Sequence, residues 1–224
     1  IKDDEKILIL YGDVPLISSK TIEGLINSGH ECTLLTMQLN DPTGYGRVIT
    51  NGQNLALKII EQKDASEDEL KIEEVFTGIL LIDGSLLRPA LEEIKNQNSA
   101  NEYYLTDLVE ILSRKGVKIK CIQANPSEVL GANNKHELHE LELILRKMSA
   151  KKLLEQGVTL IDKTRVDVRG KVVAGKDCSI DVNVILEGDV TFGNNVTIKS
   201  NVVLQDVFIG DNSIIESFSH LSSA

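Results

Sequence analysis

The alternation of apolar and polar positions divides the chain into stretches that follow different periods. Up to residue 134, apolar runs of strand length alternate with segments whose apolar residues recur every three or four positions, the pattern of an α/β sheet covered by helices. The runs Ile7–Leu10, Cys32–Leu39, Leu55–Ile60, Val75–Ile82 and Val117–Gln123 predict strands. The segment Thr21–Asn27, capped by Ser18 or Ser19 and ended by Gly29, predicts a helix. A second helix is predicted over Ser85–Asn96, burying Leu86, Leu87, Ala90, Leu91 and Ile94, and a third over Asp107–Ser113 with Thr106 as its cap. The continuous run Ile7–Leu10 reads as a buried parallel strand, with Asp13 at its carboxyl end, where such sheets bind ligands.

Between 135 and 156 the period becomes helical, with Leu138, Leu141, Leu145 and Met148 forming an apolar stripe on an otherwise charged helix. It reads as a linker packed on one or both neighbouring domains. His136 and His139 lie three apart on it and read as surface residues rather than metal ligands.

From residue 157 onward the period is six. Val166, Val172, Cys178, Val184, Val190, Val196, Val202, Phe208 and Ile214 form one series, and Ile180, Leu186, Phe192, Ile198 and Leu204 form a second, two residues out of step. Polar turn pairs such as Gly188-Asp189, Asn194-Asn195 and Asp211-Asn212 separate them. Each short strand points a side chain inward, turns and repeats, so three hexapeptides complete a triangular coil of a parallel β-helix. The last inward residues are predicted to be Ile214 and Ile215, and no end cap follows in Glu216–Ala224. With a core strand so near Ile1, both ends are expected to be cut within a longer protein.

Composition narrows the function classes. A formal net charge of -10, with no basic patch or aromatic platform, argues against a nucleic-acid surface but allows nucleotides held by backbone amides and a divalent ion. Cys32, Cys121 and Cys178 are isolated and lack metal-ligand spacing, which fits a reducing compartment. No apolar run is long enough to span a membrane.

Three loops carry candidate chemistry. Asp13 reads either as a turn aspartate bonding its own backbone or as a carboxylate aimed into a cleft, with Gly12 permitting close approach. Asp41-Pro42-Thr43-Gly44-Tyr45-Gly46-Arg47 is a glycine-rich loop suited to a substrate or to a surface hairpin, and its spacing is that of neither a dinucleotide fingerprint nor a P-loop. Glu61, in Glu61-Gln62-Lys63-Asp64-Ala65 at a strand end, reads as a recognition residue or as a partner for Lys63.

These loops, together with Tyr11-Gly12-Asp13-Val14-Pro15-Leu16, Thr77-Gly78-Ile79, Glu102-Tyr103-Tyr104-Leu105-Thr106-Asp107, Gly131-Ala132-Asn133-Asn134 and the hexapeptide coils, make a highly specific ordered set. The set resembles the bacterial bifunctional N-acetylglucosamine-1-phosphate uridyltransferase/glucosamine-1-phosphate acetyltransferase family. The resemblance implies an α/β fold with three parts: a partial Rossmann-like nucleotidyltransferase domain over 1–134, a linker helix over 135–156, and a partial left-handed β-helix over 157–224.

It also implies two activities. The first domain would couple UTP to N-acetylglucosamine 1-phosphate, giving UDP-N-acetylglucosamine and pyrophosphate. The coil domain would acetylate glucosamine 1-phosphate from acetyl-CoA, as a cytoplasmic homotrimer supplying cell-wall precursors. By the same resemblance Asp13 and Asn133 hold Mg²⁺, Tyr11 and Gly12 lie beside nucleotide and sugar, and Gly46 and Glu61 bind the N-acetylglucosamine part. Phe76 departs from the family, which has an asparagine there. The exchange would remove a polar sugar contact worth roughly 0.5 to 1.5 kcal/mol.

The family's phosphate-cradling loop, its catalytic arginine and lysine, and its uridine-reading segment correspond to sequence before position 1. Its acetyl-CoA site and acetyltransferase histidine correspond to sequence beyond 224. The chain alone is therefore expected to be inactive in both reactions. A sugar nucleotidyltransferase of other specificity and a noncatalytic assembly or regulatory subunit are the alternative readings.

Overall fold

In the computed structural model, which describes residues 2–132 and 134–224, the chain forms two units, Ile1–Asn134 and Lys135–Ala224. The first contains β1 (Lys6–Ile9), α1 (Ser19–Ile26), β2 (Cys32–Gln38), β3 (Arg47–Thr50), β4 (Leu55–Ile60), β5 (Glu74–Asp83), α2 (Gly84–Glu93), α3 (Asp107–Arg114), β6 (Ile119–Gln123) and α4 (Pro126–Val129). Its six strands run in the order β1-β5-β2-β6-β4-β3.

The sheet is covered on both faces, which is why β2 and β5 are apolar almost throughout. On one face Leu34, Phe76 and Leu80 pack with Leu87 and Ala90 of α2 and Leu108, Val109 and Leu112 of α3. On the other, Leu35, Met37 and Ile79 pack with Val14, Leu25 of α1 and Val129 of α4.

Two expectations fail here. Among the described residues the parallel pair of this sheet is β2 with β6, and β1 runs antiparallel to β5. As β1 has β5 as its one neighbour in the sheet among the described residues, its residues are half-buried or exposed, and Leu10 is 45% exposed. An apolar run marks a strand but does not fix its direction or its place in the sheet. In α2, Leu91 points outward, and the helix stops before the predicted end at Asn96.

The second unit opens with α5 (Lys135–Glu155), a helix of 21 residues. Its buried residues are Leu141, Ala150 and Leu153, while Leu138, Leu145 and Met148 of the predicted stripe are exposed. Leu153 enters the coil core beside Val158 and Val166, so the end of this helix covers the first coil.

The coil strands are β7 (Thr159–Leu160), β8 (Val166–Ala174), β9 (Ser179–Ile180), β10 (Val184–Phe192), β11 (Thr197–Ile198), β12 (Val203–Gln205), β13 (Phe208–Ile209), β14 (Ile214–Ile215) and β15 (His220–Ser222). All of their pairings are parallel. The strand β10 bends between its pairing with β12 through Ile185–Glu187 and its pairing with β13 through Thr191–Phe192. The bend falls at Gly188, whose φ is +69° and where a Cβ would sit 2.7 Å from Asp206 Cγ, so only glycine fits.

Corners elsewhere are built from asparagines with positive φ: Asn183 Nδ2 donates to Asn201 Oδ1 and Asn195 Nδ2 to Asn212 Oδ1, each at 3.0 Å. Asparagine tolerates the left-handed region, and its amide satisfies the next corner.

The six-residue phase holds from Val166 to Val202 and then slips. Val207 is 3% exposed, while Phe208 and Ile214, predicted to point inward, are 67% and 61% exposed. Pairing partners lie eighteen residues apart at Val166↔Val184 and Ile185↔Val203, but seventeen apart at Thr191↔Phe208 and Val203↔His220. The turn closes one residue early at Asp206, whose φ is +50° and whose carboxylate accepts the Asp189 N–H at 2.9 Å. A shift of one residue exchanges the two sides of a strand, which moves Phe208 outward.

Candidate active site

The site is built from the turns after β1 and β4, the loop before β3, Gly78 in the middle of β5 and the start of α3. Tyr11 follows β1, and its ring lies over Gly78, where a Cβ would stand 2.7 Å from Tyr11 Cγ. Any side chain at position 78 would therefore displace the ring. Burial raises the pKa of Tyr11, and the nearby carboxylates of Glu61 and Asp13 raise it further. Beside Gly12, no heavy atom approaches within 4 Å of where a Cβ would be, which leaves open space next to Tyr11 and Asp13.

Gly46 closes the glycine-rich loop against the end of β4. A Cβ there would meet Ile59 Cγ2 at 2.9 Å and the two Glu61 carboxylate oxygens at 3.6 and 3.7 Å. The bare backbone at 46 is thus flanked by a carboxylate. Glu61 makes no ion pair with Lys63 among the described residues; Thr106 Oγ1 donates to Glu61 Oε1 at 2.8 Å. Thr106, predicted as a helix cap, makes no side-chain capping bond and orients Glu61 instead. One oxygen of Glu61 is held by Thr106, and the other has no partner among the described residues.

Phe76 adjoins Gly46 through its backbone. Its N–H donates to Gly46 O at 2.9 Å, while its ring, 6% exposed, packs in the same apolar cluster as Ile59. The residue contributes backbone support for Gly46 and apolar packing.

A cavity of about 260 Å³ adjoins Glu61 and is lined on its polar side by Lys58, Asp64, Glu69, Tyr104, Asp107 and Glu110. Its acidity shows in the titration of its walls. Burial raises the pKa of Asp107, as do Glu110, Glu61 and Asp64, and Tyr104 is raised by burial and by Asp64. Such a lining suits hydroxyl, amide or cationic groups and disfavours phosphate. Tyr104 and Asp107 were visible in sequence only as parts of the motif ahead of α3; their approach to Glu61 depends on α3 packing against β4.

Asp13, like Glu61, lies close enough to Tyr11 to raise its pKa. It is exposed, and its carbonyl accepts the Ala132 N–H at 3.0 Å, which joins the Asp13 turn to the segment after α4. At Gly131 a Cβ would stand 3.4 Å from Asp13 Oδ2, so the glycine keeps the flank of this carboxylate open. Asn133 lies outside the described residues. Among the described residues no three His, Cys, Asp or Glu side chains are grouped to hold a metal ion. An open hard-oxygen ligand with few protein partners is nevertheless the kind that Mg²⁺ uses, since the ion keeps most of its waters.

No family model matches the chain. Across its full length it is 44% identical to the bifunctional protein GlmU of Idiomarina loihiensis and covers 50% of that protein. Against the bifunctional protein GlmU of Methylococcus capsulatus the identity is 45% over 96% of the chain and 49% of the relative. The chain therefore spans about half the length of the curated relatives it matches. A solved nucleoside-diphosphate-sugar pyrophosphorylase from Vibrio cholerae aligns with 52% of the chain and 48% of its own, at 17% identity and a TM-score of 0.42.

Proposed function

Because the chain belongs, along its whole length, to the family of the bifunctional GlmU proteins, we propose that its first unit carries the sugar-binding part of a uridyltransferase site. The whole protein would transfer UMP from UTP to N-acetylglucosamine 1-phosphate, releasing pyrophosphate. Its coil unit would belong to the half that acetylates glucosamine 1-phosphate from acetyl-CoA, in a cytoplasmic homotrimer. The reading is supported chiefly by one observation: Tyr11, Gly46, Glu61 and Gly78 converge beside the exposed carboxylate of Asp13.

In this proposal the free Glu61 oxygen accepts a hydrogen bond from a sugar hydroxyl, and Thr106 keeps the carboxylate aimed at it. The bare backbone at Gly46 lets the acetamido group approach closely. The acidic lining beyond Glu61 turns the phosphate end of the ligand away, towards Asp13. There Asp13 and Asn133 would hold Mg²⁺. When bound, the ion would neutralise phosphate charge and orient the phosphates. The ring of Phe76 offers the sugar no hydrogen bond, so discrimination rests on Glu61 and on backbone groups.

Titrating the chain with N-acetylglucosamine 1-phosphate and Mg²⁺, followed by ligand-observed NMR, tests the reading. We expect binding that Glu61→Ala weakens about tenfold, the loss of one hydrogen bond to a charged group. Equal binding of glucose 1-phosphate would favour another sugar specificity, and binding of neither would favour a noncatalytic subunit. In a whole-length relative, the Asp13→Asn equivalent should abolish most pyrophosphate release and spare CoA release.

A further inference from the structure

We propose that Arg47 is a positioning residue for the sugar subsite: its buried guanidinium holds the Tyr45 carbonyl and so aims the Gly46 N–H at the acetamido group of the ligand. The inference rests on the reading of Gly46 as the place where that group approaches.

Arg47 opens β3 and is 2% exposed, a rare position for a charge. Its neighbour Val48 packs in the apolar cluster with α2 and α3, so alternation along the strand carries the Arg47 side chain to the opposite face of the sheet. Among the described residues the guanidinium forms no ion pair. Its Nη1 donates to the Tyr45 carbonyl oxygen, and its Nε is buried without a hydrogen-bond partner. Its charge is also felt at the far end of the same loop. Hydrogen bonds from Thr43 hold the Asp41 carboxyl below its ordinary pKa, and Arg47 adds to the effect. Burying a guanidinium with an open donor costs free energy that an apolar side chain of similar length would not. What Arg47 supplies beyond packing is its hold on the loop.

The Tyr45 carbonyl and the Gly46 N–H belong to one planar trans peptide and point in opposite directions. Fixing the oxygen on Arg47 therefore fixes the direction of the N–H. The next peptide is tied as well, since the Gly46 carbonyl accepts the Phe76 N–H at 2.9 Å. Between these two ties the Gly46 N–H donates to no group among the described residues, although Gly46 is buried. Buried N–H groups are nearly always paired, so this one is a donor held ready for an acceptor from outside the chain. It lies beside Glu61, whose carboxylate oxygens would stand 3.6 and 3.7 Å from a Cβ at position 46. The acetamido carbonyl is an acceptor that glucose 1-phosphate lacks. A cation at the oxygen end also polarises the peptide and strengthens the N–H as a donor.

Ligand-observed NMR on the full 224-residue chain, with N-acetylglucosamine 1-phosphate and glucose 1-phosphate as probes, tests the assignment alongside the Gly46 amide signal of isotope-labelled protein. In the parent chain that signal should move on adding N-acetylglucosamine 1-phosphate and move less with glucose 1-phosphate. Arg47→Met keeps the length of the side chain and removes its charge and donors. It should weaken N-acetylglucosamine 1-phosphate binding about fivefold and leave glucose 1-phosphate binding unchanged. It should also shift the Gly46 signal of the free protein and leave the melting temperature unchanged or higher. Arg47→Lys, which keeps one charged donor, should weaken binding in the same direction by a smaller factor and carries the test if the methionine variant does not fold.

A purely structural role gives the opposite pattern: both variants melt lower or fail to fold, and both sugar phosphates weaken by the same factor. That result would overturn the proposal. If the parent chain prefers N-acetylglucosamine 1-phosphate and its Gly46 signal responds, while Arg47→Met keeps that preference, the positioning role fails and the Gly46 subsite stands. If the parent chain binds the two sugar phosphates equally, or its Gly46 signal does not respond, the subsite reading fails and the role of Arg47 with it.

Discussion

The sheet unit and the coil unit bury apolar residues in similar ways but obtain their specificity differently. In the sheet unit each residue has its own environment: Phe76 packs under Gly46, Tyr11 covers Gly78, and Thr106 holds Glu61. In the coil unit the same environment recurs, so Val184, Val190, Val196 and Val202 are interchangeable solutions to one packing problem. Repetition makes a strong scaffold and leaves few places where unlike side chains meet. Unlike side chains have to meet for chemistry, and they do so in the irregular unit.

The comparison is tested most severely by Val190→Asp, which places an unpaired charge at a position 1% exposed. We expect a loss of about 4 kcal/mol or more from the coil unit, with the sheet unit still protected from hydrogen exchange. Simultaneous loss of protection in both units would show that they do not behave separately.

Next in size is the phase slip. Val207→Asp should cost the coil about 3 kcal/mol or more, whereas Phe208→Asp should change its stability by no more than about 0.5 kcal/mol. Denaturant midpoints would distinguish the two, and the reverse order would restore an unbroken six-residue phase. A gentler test is Gly188→Ala, which combines a positive φ with a close contact to Asp206. It should cost about 1 to 3 kcal/mol. Sites in the sheet unit with open space, such as Gly12, should tolerate alanine far better for stability.

The smallest effect belongs to the acidic cavity. Burial and neighbouring carboxylates raise the pKa of Asp107 in the folded state, so this group binds its proton more tightly folded than unfolded. Its ionised form therefore opposes folding above its folded pKa, and that penalty fades as pH falls through the folded and then the unfolded value. Asp107→Asn should raise the melting temperature at neutral pH by up to about 2 °C, a gain that disappears at low pH. An equal gain at both pH values would remove electrostatic strain as its cause.

The same contrast explains what could be read from sequence. Strands Leu55–Ile60 and Glu74–Asp83 and the helix from Lys135 were legible because their periods are local properties. The repeat was legible through seven inward positions and misread at Phe208, because a deletion of one residue leaves an apolar residue in either phase. The antiparallel edge position of β1 was not legible, since pairing direction is decided by β5, more than sixty residues away in sequence. Motif resemblance picked out Tyr11, Gly46 and Glu61, yet Thr106 was assigned to a helix cap. Its partner Glu61 becomes a neighbour only when α3 packs on β4.

The short pairing interval of the coil also sets an order of events during chain growth. Each coil strand meets its partner seventeen to twenty residues later, so a coil can close soon after its last residue is made. In the sheet unit β2 cannot complete its central pairing until Ile119–Gln123 exists, and Lys6 must find Asp83 across 77 positions. Loop closure over such separations is slow relative to neighbour-to-neighbour winding. In refolding, amides of Thr197 and Val203 should become protected before those of Cys32 and Leu34, an order that pulsed hydrogen exchange resolves. The sheet unit, although made first, is then the unit that becomes native last.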